Sequence, residues 1–471
     1  MAAVLLAAFV TGAASAPALG PADAVPAAAA TTATAPTATA PAGRPSPDVV
    51  AGLTVPAPAA TTVVAGPVPA PLDSGAPQPS RAVLDRSLDA MVTRPAVGGD
   101  GVYLVVDALT GAQLASRSPN TARTPASTAK LLTAAAVLSL LDPQSTLPTT
   151  VVTGATEDEI VLVGGGDVLL GRGVNKQDGV VGHAGLTTLA RRTAAALRAA
   201  GTTTVAVRLD DTVFTGPAVS PRWASGDVAA GFVAPIGPIA IEAGAVAGRK
   251  AITGYPMRHA DPAMHAAKAF AGLLDKQPGI RVTGTVARVK APGAADELAR
   301  VESAPVGDVT EFMLQHSDNT VSEVLARLVA KESERPATFA DSGIAVLDQV
   351  ALLGVNVDGA RLTDGSGLGS GSALSPRTLT DVLRLATSTE HPQLRPVLSG
   401  LPVAGATGTL ALRFDERGDR AGAGVVRAKT GTLTGVHSLA GLVTGADGVP
   451  MVFVVAADDV DVVDTLGARA A

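Results

Sequence analysis

The sequence predicts a mixed α+β fold carried by residues 81–471, on three observations. Helical spacings of apolar residues and short β-branched runs alternate along that stretch, with no repeat period. The 471-residue chain is 47% hydrophobic and 17% charged, enough apolar material to bury a sizeable core. Aromatic residues make up only 2%, so that core must be built from Ala, Val and Leu. The length suits two or three domains of about 150 residues each.

Residues 1–16, MAAVLLAAFVTGAASA, are apolar and uncharged and end in Ala14-Ser15-Ala16. That is the pattern of a secretory signal peptide's apolar stretch and cleavage site. The stretch is shorter than the roughly 20 apolar residues of a membrane span. No positive charge precedes it, so either the true start lies upstream or the segment is an uncleaved anchor, with a cytosolic Ala-rich tail as the alternative to export. Residues 17–80 hold 14 of the 34 prolines, too dense for a helix or a central strand. They read as a disordered or polyproline-like linker.

Folded sequence begins at Arg81. Val102–Asp107 and 113–116 read as a hairpin turning through Leu109-Thr110-Gly111. Residues 127–141 read as a helix, with Leu131, Ala134, Leu138 and Leu141 at helical spacing. Further helices are predicted at 186–200, 307–331 and 375–387. Strands are predicted at 160–163, 204–209, 426–430, 438–444 and 450–456.

Composition excludes several chemistries. With no cysteine there is no disulfide framework, thiolate zinc site or cysteine nucleophile. A net charge of −6 argues against nucleic acid as a partner. Three short motifs carry the chemistry instead. Ser127-Thr128-Ala129-Lys130 fits S-x-x-K, Ser317-Asp318-Asn319 fits S-x-N, and Lys429-Thr430-Gly431 fits K-T-G. Chance supplies about 0.4 S-x-x-K matches but only about 0.01 S-D-N matches, because the chain holds four asparagines.

The spacings have a physical reading. Positions i and i+3 share a helix face, so Lys130 can reach the Ser127 hydroxyl. Serine is a weak nucleophile that needs a base, and a lysine serves when desolvation or a nearby cation keeps it neutral. Lys429 is the candidate cation. Ser127 near a helix start also places backbone N–H groups where an oxyanion would form.

The chain resembles the D-alanyl-D-alanine carboxypeptidase/endopeptidase family, the class C low-molecular-mass penicillin-binding proteins of peptidase family S13. The resemblance covers nearly all of residues 82–471. It rests on the three motifs and on PASTAKLLTAAAVL (125–138), LVGGGD (162–167), DGSGL (364–368), LPVAGATGTLALRF (401–414) and RAKTGTLTGVHSLAG (427–441). The 186 residues between Lys130 and Ser317 match this family, which inserts domain material there. The resemblance implies a β-lactamase/transpeptidase-like helix–sheet–helix catalytic domain, in parts 81–144 and 301–471, with a smaller domain inserted at 145–300.

It also implies roles. Ser127 would be the acylated nucleophile and Lys130 its general base. Ser317 would relay a proton to the leaving amine, Asn319 would hold the substrate amide, and Lys429 with Thr430 would bind the terminal carboxylate. The backbone N–H groups of Ser127 and Thr432 would form the oxyanion hole. Gly431, Thr432, Ser366, Leu368 and Trp223 would line the substrate cleft. The substrate would be peptidoglycan stem peptides and penicillins would bind covalently, with no cofactor and no metal. The enzyme would work outside the cytoplasm, touching membrane only through an uncleaved N-terminal segment. A serine β-lactamase and a non-catalytic wall-binding or sensor protein on the same scaffold are the alternatives. The intact serine–lysine set favours a catalyst.

Other features read as structural. Gly164-Gly165-Gly166-Asp167 lacks the Lys-Ser/Thr of a phosphate cradle and reads as a turn after a strand. Thr407-Gly408-Thr409-Leu410 echoes residues 430–433 without the lysine. His259 and His265 lack metal-ligand spacing, and His316 reads as a flank of Ser317. After DGSGL the family continues with Ser-Arg, whereas this chain has Gly369-Ser370. Arg377 and Arg413 are the candidates to supply the missing cation.

Overall fold

The computed structural model describes residues 80–94, 100–415, 419–445, 448–458 and 460. The predicted leader at 1–16 and almost all of the linker lie outside the described residues. β1 (Val102–Asp107) and β2 (Gln113–Arg117) form the expected hairpin, with Gly111 in the left-handed region at φ 74°. They join β10 (Val426–Leu433), β11 (Val436–Thr444) and β12 (Pro450–Ala457) in an antiparallel sheet of order β10-β11-β12-β1-β2. The register Tyr103↔Val455 stitches the first folded strand to the last.

All eight residues of β12 are buried, which the alternation of strand side chains explains. Val452 and Val454 face one core, and Met451, Phe453 and Val455 face another. Helix α1 (Arg81–Val92) contributes Leu84, Leu88, Met91 and Val92 to the second. The first core holds α2 (Lys130–Leu140) and four helices met later in the chain: α5 (Val306–His316), α6 (Asn319–Glu332), α7 (Phe339–Leu352) and α8 (Pro376–Thr387). The result is a sheet between two helical layers.

Residues 148–302 build a second sheet of order β8-β5-β4-β3-β9. Its strands are β3 (Pro148–Thr153), β4 (Glu159–Gly164), β5 (Thr204–Asp210), β8 (Arg281–Arg288) and β9 (Glu297–Glu302). β4, β5 and β8 run parallel, and α3 (Leu186–Ala199) and α4 (Pro262–Leu274) fill a separate core against them. A short hairpin, β6 (Ala245–Lys250) with β7 (Pro256–Arg258), stands apart.

Two expectations are corrected. The helix predicted over 127–141 starts as a 3₁₀ turn, Ala126–Ala129, and becomes α-helical only at Lys130. The helix predicted over 307–331 is two helices. Ser317 caps α5 at φ 54°, ψ 35°, and the Asp318 carboxylate then accepts the Val321 amide 2.9 Å away to open α6. Apolar spacing continues across the break, so periodicity alone does not reveal it. Leu325 is fully buried on α6 in the core that also holds Leu131 and Leu132 of α2. Leu325→Ala is therefore expected to cost about 2–5 kcal/mol, read as a lower urea midpoint.

Candidate active site

The 3₁₀ turn that carries Ser127 is held from three directions. Ala126 sits at φ 47°, a left-handed conformation that an alanine adopts only under constraint. The Pro125 carbonyl accepts the Thr128 hydroxyl at 2.7 Å and the Ser438 hydroxyl of β11 at 2.6 Å. On β10, a Cβ at Gly431 would lie 2.6 Å from the Pro125 oxygen and strike Ser438 Oγ. The glycine of K-T-G lets strand and turn approach. A Cβ at Gly367, at φ 75°, would likewise strike the Ala126 carbonyl, so the 364–368 loop closes over the turn.

Lys130 is fully buried. Its Nζ lies 3.1 Å from Ser127 Oγ, 2.6 Å from Asn319 Oδ1 and 2.8 Å from the Ser366 carbonyl oxygen. Burial pushes its ammonium down to about 8, against the opposing pull of Glu323, Asp364 and Asp318. A neutral amine has two N–H donors and one lone pair. With both donors taken by the two carbonyl oxygens, the lone pair is left for Ser127.

The left-handed cap turns Ser317 toward β10. Lys429, also fully buried, donates to Ser317 Oγ at 2.8 Å and to the Thr430 carbonyl at 2.8 Å. Burial, then the charges of Lys130 and Arg413, hold the Lys429 ammonium well below its ordinary range. Asn319 is fixed at both ends, since its Nδ2 donates to the Phe232 carbonyl at 2.9 Å. Thr432 follows Gly431 on β10, opposite His437.

The 364–368 loop stands on two buried acids to which the sequence assigned no role: Asp364, the first residue of DGSGL, and Glu323. Asp364 accepts the Gly367 amide at 2.8 Å, the Gly369 amide at 2.7 Å and Trp223 Nε1–H at 2.9 Å. Glu323 accepts the Gly365 and Ser366 amides at 3.0 and 2.9 Å. A lone acid one turn after Asn319, within the apolar run of α6, is the signal that would have found it. Ser366 thus meets Lys130 through its carbonyl, while its hydroxyl accepts the Leu368 amide at 3.2 Å. Leu368 is half-buried against the first core. Trp223 is only 7% exposed and packs edge-on against Phe339, beneath the loop.

The features read as structural fall in several places. Thr409 reaches the site, its hydroxyl 2.9 Å from that of Thr430. Gly369-Ser370 lies against Arg222, whose carbonyl accepts the Ser370 amide at 3.0 Å. Arg377 turns to Gln113 at the β2 edge, whereas the Arg413 charge acts on Lys429 and His437. His316 packs on Phe312. His259 and His265 stack with ring centroids 3.6 Å apart, and Arg172 touches His265. Gly164 ends β4, with Asp167 beyond it accepting the Leu169 amide. A cavity of about 330 Å³ between Phe214, Asp261, Arg288 and Arg327 is lined by none of the three motifs.

Comparison with known proteins gives a consistent picture. The model of the D-Ala-D-Ala carboxypeptidase 3 (S13) family matches residues 84–252 and 243–471. Carboxypeptidase DacB of Mycolicibacterium smegmatis is 35% identical over 386 residues, covering 81% of each chain. A D-alanyl-D-alanine carboxypeptidase of an Actinomadura species is 29% identical, over 78% of this chain and 79% of that one. Penicillin binding protein 4 (dacB) of Haemophilus influenzae superposes with a TM-score of 0.65 at 22% identity. That likeness of fold covers 79% of this chain and 93% of the other.

Gly431→Ala tests the approach of β10 to the Ser127 turn. The new methyl must push the two apart, and misplacement by about 1 Å costs on the order of 10²-fold in rate. Folded Gly431→Ala protein is therefore expected to lose about 10²-fold in reactivity of Ser127 toward an acyl donor, measured by stopped-assay labelling.

Proposed function

The chain belongs to the D-Ala-D-Ala carboxypeptidase 3 (S13) family, and from that premise we propose that it cleaves the terminal D-Ala-D-Ala bond of peptidoglycan stem peptides through an acyl-enzyme on Ser127. The observation that carries the reading is the Lys130 amine, whose two carbonyl partners leave its lone pair for the Ser127 hydroxyl. Ser127 Oγ attacks the carbonyl of the penultimate D-Ala, and its proton passes to Lys130 Nζ. The backbone N–H groups of Ser127 and Thr432 hold the oxyanion. As the C–N bond breaks, Ser317 relays the proton taken up by Lys130 to the departing amine, which restores the neutral lysine, and D-alanine leaves. Water then hydrolyses the ester by the same proton route in reverse.

Burial and the charges of Lys130 and Arg413 all work against the Lys429 ammonium, so an anion brought beside it would stabilise its charge. The C-terminal carboxylate of the substrate supplies that anion, with the paired hydroxyls of Thr430 and Thr409 beside it. A charged Lys429 in turn favours the neutral form of Lys130. A cross-link ending in D-Ala-D-amino acid presents the same bond, so endopeptidase action needs no further group. Penicillins acylate Ser127 and hold it. Peptidoglycan lies outside the cytoplasmic membrane, which places the enzyme there with residues 1–16 as its export signal or anchor. Among the described residues no helix is long and apolar enough to cross a membrane.

Intact-mass spectrometry after benzylpenicillin is expected to show a single adduct on a peptide spanning 125–138, absent from Ser127→Ala. An adduct on another peptide of folded protein would overturn the assignment. The protonation of Lys130 gives a second outcome. The neutral form is reactive, so acylation should rise with pH through about 8 and level off above it. Lys130→Arg, whose guanidinium cannot accept a proton, is expected to lose at least about 10²–10⁴ in that rate.

A further inference from the structure

Asn319, Glu323 and Arg327 occupy positions i, i+4 and i+8 of α6, one face running away from the nucleophile, with Asn319 half-buried and the other two buried. Asn319 touches Lys130, and Arg327 is held by the carbonyls of Thr215 and Pro217. Between them Glu323 is completely buried, and each of its oxygens accepts one backbone amide, Gly365 at 3.0 Å and Ser366 at 2.9 Å. A carboxylate taken this far from water is costly, and two amide hydrogen bonds offset only part of that cost, since burial still holds the Glu323 carboxyl raised. The Thr133 and Ser322 hydroxyls already bind the Gly365 carbonyl, at 2.7 and 2.8 Å, so the loop is anchored to α2 and α6 without it.

The use of this carboxylate lies one peptide further along the loop. The residue whose amide Glu323 holds is the one whose carbonyl accepts the Lys130 amine at 2.8 Å. We propose that Glu323 is a positioning residue for acyl transfer: it clamps Gly365–Ser366 so that the Ser366 carbonyl orients the Lys130 lone pair onto Ser127. This rests on the reading of Lys130 as the base. Were the Ser366 carbonyl to swing away, one N–H of Lys130 would lose its acceptor and the amine would be free to rotate.

The electrostatics support the geometry. Lys130 is faced by Glu323 and Asn319 from α6, by Asp318 at its start, by Asp364 and Ser366 from the loop, and by Lys429 from β10. Among the acids Glu323 acts most strongly. Glu323 itself is pushed up to about 8 by burial, then by Asp364, against the pull of the two amides and Lys130. The two groups thus share a pH range.

Two variants separate the clamp from the charge. Glu323→Gln keeps the size, loses the charge and turns an NH₂ toward one of the two amides. Acylation by benzylpenicillin is expected to fall about 10–100-fold, with the midpoint of its pH profile moving down by about one unit. Glu323→Asp keeps the charge but withdraws it by one methylene. The rate is expected to fall while the midpoint stays near that of the wild type. Circular dichroism and the melting temperature establish that each variant is folded, and either one alone suffices. Wild-type rate and midpoint in a folded variant would overturn the proposal. So would a rate loss in Glu323→Gln with an unmoved midpoint, the mark of a mere loop anchor. If the wild type forms no adduct on Ser127, the functional reading fails first; an adduct there, with variants unaffected, sinks only the role of Glu323.

Discussion

The site depends on one buried amine. Lys130 is completely buried among a hydroxyl, a side-chain amide and a backbone carbonyl, and each partner comes from a different part of the chain. A lysine in bulk water would be a cation near neutral pH and useless as a base. Removing the water destabilises the charge, and the acids around it stop the shift before the proton is lost altogether. The surrounding structure reads as what is needed to keep that balance.

Keeping it requires three rigid supports to converge. The turn before α2 is held by β11 through Ser438 and touched by β10 where only a glycine fits. The break between α5 and α6 puts Ser317 and Asn319 on adjoining helix ends, so one reaches Lys429 and the other Lys130. The 364–368 loop hangs from Asp364 and Glu323, two carboxylates that spend their acceptors on backbone amides and Trp223. The strain at Ala126 and Ser317 falls at the two ends of this arrangement, where a relaxed backbone would aim the hydroxyls elsewhere.

Residues 148–302, between the first two motifs, build a second sheet with a core of its own against α3 and α4. The same segment also reaches the site. The Phe232 carbonyl orients the Asn319 amide, and Trp223 bonds Asp364 from beneath the loop. Residues about a hundred positions from Ser127 thereby set the orientation of groups around its base.

What was legible in the sequence was local. S-x-x-K is readable because one helical turn brings i and i+3 together, and K-T-G because a strand with a glycine can lie against a turn. The hairpin at 102–117 and the all-apolar β12 announce themselves by composition. Strands such as β8 do not, because most of Arg281–Arg288 is exposed and carries little apolar alternation. The break at Ser317 is hidden because apolar spacing runs straight through it. Glu323, Asp364 and Thr409 are ordinary letters until the fold supplies what they touch: Glu323 meets residues more than forty positions away, and Thr409 meets Thr430 across a loop. The sequence by itself determined which groups could react. Only the tertiary structure decided their protonation and aim, because both depend on removing water and on contacts between distant parts of the chain.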